Sequence, residues 1–152
     1  QLTAGWNGLS SYRMPAETNI EALMSQIFPE LVIMQNMDGI YYPDGGVNTL
    51  QTWESQSAYK IKVTEDVTLT ITGPVEQNKT LQLNEGWNLI PVISEEMVDV
   101  EALFSGTEVE VVKGVAELGV YWPSYNINTL GMIMPGKAYF VRMSSAASIT
   151  FP

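Results

Sequence analysis

Gly5-Trp6-Asn7-Gly8-Leu9 and Gly86-Trp87-Asn88-Leu89-Ile90 are one phrase written twice, and the pairing of Trp6 with Trp87 sets an offset of 81 residues. Working outward, Glu21-Ala22-Leu23 returns as Glu101-Ala102-Leu103, now at an offset of 80. Tyr41-Tyr42-Pro43 returns as Tyr121-Trp122-Pro123, Asn48-Thr49-Leu50 as Asn128-Thr129-Leu130, and Ala58-Tyr59 as Ala138-Tyr139. An internal repeat of this length says that one small supersecondary unit occurs twice. The expected division is residues 1–73 for the first copy, a short polar linker at 74–79, and 80–152 for the second. Units this small sit near the lower limit for a self-sufficient core, so the copies are expected to pack together.

Each copy reads in the same order. A strand carries Gly-Trp-Asn (Gly5–Tyr12, Gly86–Ile93). In the first copy a helix follows, with Ile20, Leu23, Met24 and Ile27 on one apolar stripe and Thr18 with Glu21 as a capping box. The second helix carries Val100, Leu103 and Phe104, with Asp99 as its cap and Gly106 at its end. Strands follow at Leu31–Met37 and Glu108–Lys113, then at Ile40–Tyr42 and Val120–Trp122, where Pro43 and Pro123 stop the ladder. In the next strand Tyr59, Ile61 and Val63 point inward and Lys60 and Lys62 outward; in the second copy Tyr139, Val141 and Met143 point inward and Phe140 and Arg142 outward. A last strand is expected at Val67–Thr72 and at Ser148–Phe151, with Thr80–Leu83 leading into the second copy. The fold class is α+β, predominantly antiparallel β: two tandem copies of a strand-helix-four-strand unit with approximate internal twofold symmetry.

Composition narrows the chemistry. The 152 residues hold 17 Asp and Glu against 7 Lys and Arg, a net charge of −10. That balance repels phosphate backbones and anionic bilayers, so neither nucleic acid nor membrane insertion is expected, and no apolar run approaches a bilayer-spanning length. With no Cys and no His, disulfides, thiolate catalysis, the usual zinc sites and Ser-His or Cys-His mechanisms all fall away. No cofactor is implied.

Gly86–Ile90, Leu103-Phe104, Gly119–Pro123 and Gly136–Val141 together resemble a tandem module of the Gly-Trp-Asn-Leu-Ile type found in secreted and cell-surface proteins of Bacteroidetes. The first copy departs from the pattern at Gly8, which stands where Leu89 is, and at Ser57-Ala58, which lacks the Gly-Lys pair. The resemblance implies an exported, non-catalytic accessory module at the cell surface, part of a longer chain.

The candidate site residues follow from what the copies share. Trp6 and Trp87 recur in identical contexts and read as core anchors; Asn7 and Asn88 read as backbone-bonding turn residues. Tyr59, Tyr139, Tyr41 and Tyr121 read as core. Tyr42 and Trp122 alternate to the wetter face, Tyr125 lies in the polar run after Pro123, and Trp53 stands in Gln51-Thr52-Trp53-Glu54-Ser55. These outward or unshared rings, Tyr42, Trp53, Trp122 and Tyr125, form a stacking platform for a neutral polysaccharide, or else a contact with the other copy or with neighbouring domains. Asp38, Asp44 and the Gly45-Gly46 loop read as a plain turn, without the ligand spacing of an EF-hand. Glu21 and Glu101 read as helix-terminus charges. Three functions are thus weighed: adhesion or glycan binding without catalysis, a structural spacer or docking domain of a larger surface protein, and a carboxylate-based glycoside hydrolase, for which no two acids stand out as the necessary pair.

Overall fold

The computed structural model describes all residues from Gln1 to Pro152. Its N-terminal half runs β1 (Gly5–Leu9), α1 (Ile20–Met24, continued by a 3-10 turn over Ser25–Ile27), β2 (Leu31–Gln35), β3 (Ile40–Tyr42), β4 (Val47–Asn48) and β5 (Tyr59–Val63). The C-terminal half runs β6 (Thr80–Leu83), β7 (Gly86–Pro91), β8 (Val98–Asp99), α2 (Val100–Phe104), β9 (Val109–Gly114), β10 (Val120–Trp122), β11 (Ile127–Asn128), β12 (Met132–Ile133), β13 (Ala138–Met143) and β14 (Ala147–Thr150). Strands dominate and every pairing is antiparallel. No helix is long and apolar enough to cross a membrane.

Two five-stranded sheets carry the molecule, ordered β1-β5-β2-β3-β4 and β7-β13-β9-β10-β11. In both, the Gly-Trp-Asn strand lies at the edge and the alternating strand beside it. Their inner faces bury two separate apolar clusters. One gathers residues between Leu2 and Val63, including Ile20, Met24, Met34, Tyr59 and Ile61; the other gathers residues between Leu81 and Phe151, including Val100, Phe104, Val112, Tyr139 and Val141.

Local chemistry explains the short helices. Asn19, in an extended conformation, accepts the Ala22 N–H at 3.0 Å, and Asp99 accepts the Ala102 N–H at 3.0 Å. The cap of α1 is therefore Asn19, one residue after the expected Thr18, whose carbonyl instead receives the Trp53 N–H at 2.7 Å. Each helix is tied to the hairpin that follows: Glu21 accepts Asn48 Nδ2 at 3.2 Å and Glu101 accepts Asn128 Nδ2 at 2.9 Å. The partially buried hydroxyls of Tyr41 and Tyr121 are held above the ordinary phenol range, by burial first and then by these glutamates.

Two strand expectations are corrected. Beyond Leu9 the chain leaves its sheet, because Ser10 binds the other half: its N–H donates to Gly136 O at 3.0 Å, its hydroxyl donates to Lys137 O, and it accepts the Val92 N–H at 3.2 Å. In Val67–Thr72 only Val67 pairs, with Leu2, although Leu69 and Ile71 still pack on the core. Its counterpart β14 forms a ladder of four residue pairs because the whole of β6 lies opposite.

The halves meet in a thin seam of Ala58, Val115 and Ala138, with Leu89 and Phe140 against it. A Cβ on Gly8 would come within 2.7 Å of Ala138 N, which is why the first sheet carries glycine where the second carries Leu89. The 74–79 segment is docked along its length. Met14 N–H donates to Pro74 O, Glu76 N–H to Tyr12 O, and Lys79 Nζ to Ile93 O. Buried Glu76 accepts the Ser55 hydroxyl and the Asn78 N–H, and these two bonds hold its carboxyl below the usual range.

Candidate functional site

The outer faces of the two sheets, away from both cores, set aromatic rings among cations. Register fixes what stands there. Trp6 lies opposite Lys62, and Gly8 opposite Lys60; in the second sheet Trp87 lies opposite Arg142, and Leu89 opposite Phe140. Because side chains alternate along a strand, the partners of Trp6 and Trp87 on the inner face are their neighbours. Asn7 is buried, receives the Thr3 N–H at 3.0 Å and donates to Thr3 O at 2.7 Å and Gly5 O at 3.1 Å. Asn88 makes the same set with Asn84 and Gly86. The bends that these amides clamp place Gly5 at φ +97° and Gly86 at φ +88°, a backbone region open to glycine.

The indoles therefore point outward. Trp6 is 37% exposed and Trp87 43%, which corrects the expectation that they anchor the core. Cations surround both. Lys60 Nζ lies 4.7 Å from the Trp6 ring centre and Lys62 Nζ 5.9 Å; Lys113 Nζ lies 5.8 Å from Trp87, and the Arg142 guanidinium 6.0 Å. The two groups join across the seam through Phe140, whose ring meets Trp87 edge-on at 6.3 Å, has Lys113 Nζ 5.8 Å away, and has Lys60 Nζ from the other sheet 6.0 Å away. Such contacts draw a cation to a ring through the ring's quadrupole.

Three of the four rings named from sequence lie outward as expected. Tyr42 and Trp122 are 39% and 40% exposed, at the ends of β3 and β10, and Tyr125 is 66% exposed. Trp122 and Tyr125 meet edge-on at 4.5 Å, held by the 3-10 turn Pro123–Tyr125 that closes on Asn126 in the left-handed conformation. Trp53 is the exception. It is only 4% exposed, its ring 4.7 Å from that of Tyr59 and tilted 39° to it, with its indole N–H unpaired. Its counterpart Ile133 is fully buried, so Trp53 fills the same core position. The polar neighbours that suggest exposure turn outward around one inserted ring. Trp53 is thus removed from the stacking set.

Beside Trp87 the seam opens into a cleft of about 200 Å³ bordered by Asn36, Asp38, Gln56, Gln82 and Asn84. It is smaller than a drug-sized pocket and rich in amides. The sequence carried a signal for the outward tryptophans that composition hides: Asn7 and Leu9 share a face, so Trp6, one residue before Asn7, belongs to the other, the face of Lys60 and Lys62. Comparison with protein-family models, with curated proteins and with solved structures finds no match.

Proposed function

We propose that the chain is a non-catalytic, exported module of the cell surface that holds a glycan on its outward aromatic rings. In this reading residues 1–73 and 80–152 are two copies of one strand-helix-four-strand unit about an approximate twofold axis. Their shared inner residues hold each copy together, and the outer faces form one platform. The observation that carries it is that Trp6, Tyr42, Trp87 and Trp122 all occupy outward strand positions, each between 37% and 43% exposed, where they add nothing to either core. Flat sugar faces stack on such rings, and the amide-bordered cleft beside Trp87 offers partners for hydroxyls.

Affinity electrophoresis through gels containing soluble polysaccharides tests the reading. The wild-type chain is expected to be retarded by at least one polysaccharide, and Trp87→Ala and Trp122→Ala to run free of it while keeping their circular dichroism. Unretarded migration of the wild type through every neutral and charged polysaccharide gel would overturn it.

A further inference from the structure

The charge of the outer face runs against that of the molecule. Among the residues of the two five-stranded sheets there are four cations, Lys60, Lys62, Lys113 and Arg142, and a single carboxylate, Glu110. Every other acid of a chain with 17 acids lies elsewhere. Arg142 is paired with Glu110 at 3.0 Å, and the only other ion pair is Arg13 with Glu95 at 4.0 Å. Lys60, Lys62 and Lys113 have no carboxylate within reach, although acids outnumber bases by more than two to one in the chain. They face rings instead, in a row that crosses the seam from Lys62 through Trp6, Lys60 and Phe140 to Lys113 and Trp87.

We propose that this row selects an anionic glycan, a sugar chain bearing carboxylate or sulfate groups, laid across both halves. The inference rests on the glycan-binding reading and adds the charge and the path of the ligand. Rings alternating with unpaired ammonium groups match a polymer that alternates apolar sugar faces with anionic substituents, and a flat open face suits a chain rather than a capped small molecule. The acidic remainder of the surface does not cancel the row, because exposed charges more than about 8 Å away are largely screened at physiological ionic strength. It does disfavour a dense polyanion such as a nucleic acid, whose charges extend well beyond the row. An acidic protein segment would satisfy the lysines but leave three rings without stacking partners.

Binding of the whole chain to polygalacturonate, dextran sulfate, neutral dextran and poly-glutamate, measured by calorimetry at low and high salt, decides between these. The expected result is salt-sensitive binding of polygalacturonate or dextran sulfate, the stronger of the two identifying the anion, with much weaker binding of dextran and poly-glutamate. Lys60→Ala with Lys113→Ala is expected to weaken it about tenfold, the effect of two exposed charge pairs, and Lys60→Arg with Lys113→Arg to restore it. Equal binding of dextran would overturn charge selection while leaving a glycan platform standing. Equal binding of poly-glutamate would overturn the sugar in favour of an acidic protein partner, and silence towards all four would overturn both readings. Lys113 is exposed and Lys60 half-buried, and both lie outside the two apolar clusters, so the variants are expected to fold.

Discussion

Lys60 and Phe140 take the same register position in their two sheets, each opposite the fourth residue of its Gly-Trp-Asn strand, and the Lys60 ammonium lies 6.0 Å from the Phe140 ring. Two matching positions can meet only where the sheets themselves meet. The contact therefore marks the middle of the outer face, directly above the small-residue seam, and makes one surface of two.

The division of labour within Gly-Trp-Asn is open to direct test. Trp87→Ala is expected to lower unfolding free energy by about 1 kcal/mol, since it removes only surface contacts, with Lys113, Arg142 and the edge of Phe140. Asn7→Ala removes the buried amide that clamps the Thr3 and Gly5 backbone through three hydrogen bonds and is expected to be worse, about 1–3 kcal/mol. Urea denaturation of both variants checks the order; a larger loss from Trp87→Ala would place the indole back in the core.

At Gly8 the strand passes so near Ala138 that a side chain has nowhere to go. Gly8→Ala is expected to cost about 1–3 kcal/mol by overpacking, and Gly8→Leu, which copies the residue of the second sheet, to cost more. A shift of the urea midpoint measures it, and an unchanged midpoint for Gly8→Leu would show that the seam can yield.

Trp53 combines a buried ring with an unpaired N–H. Trp53→Phe keeps an aromatic ring beside Tyr59 and removes the orphaned donor, so it is expected to stay within about 1.5 kcal/mol of wild type, the range of a conservative core exchange. Trp53→Ala is expected to lose about 3–5 kcal/mol. Thermal melts separate the two, and neither change should alter glycan retardation of the folded protein.

Tyr139 supplies a pH signature. Its buried hydroxyl accepts the Met134 N–H at 2.9 Å, and burial pushes its pKa up to about 12 from an ordinary 10.0. Above pH 10 the unfolded chain releases this proton while the folded chain keeps it, so stability is whole below pH 10 and is lost as pH rises towards 12. Tyr139→Phe is expected to flatten the fall of the melting temperature across that window; an unchanged alkaline slope would assign it to other tyrosines.

What could be read from the sequence was what has a period or a cap. The alternation of Tyr59–Val63 and Ala138–Met143 gave both faces correctly, the stripe from Ile20 to Ile27 gave the apolar side of α1, and Asp99 was identifiable as a cap from its place before Val100. The outward tryptophans were harder, because each follows a glycine at positive φ. The bend there resets the alternation, and hydrophobicity alone then argues for the wrong face. Trp53 had no period to consult: Gln51–Ser57 is irregular, with Gln51 itself at φ +62°, and a lone ring inserted from such a loop leaves no pattern around it. The row of unpaired lysines is a property of how the two sheets meet: β1 of one lies against β13 of the other, which sets Lys60 6.0 Å from the Phe140 ring.

A seam of two alanines and a valine buries little, whereas each half owns a full apolar cluster. The plane between the halves thus carries less apolar contact than either core and leans on hydrogen bonds such as those of Ser10. A polymer resting on Trp6 and Trp87 at once would act there as a clasp, and the protein would tighten around its own occupancy, its melting point rising with ligand concentration by mass action.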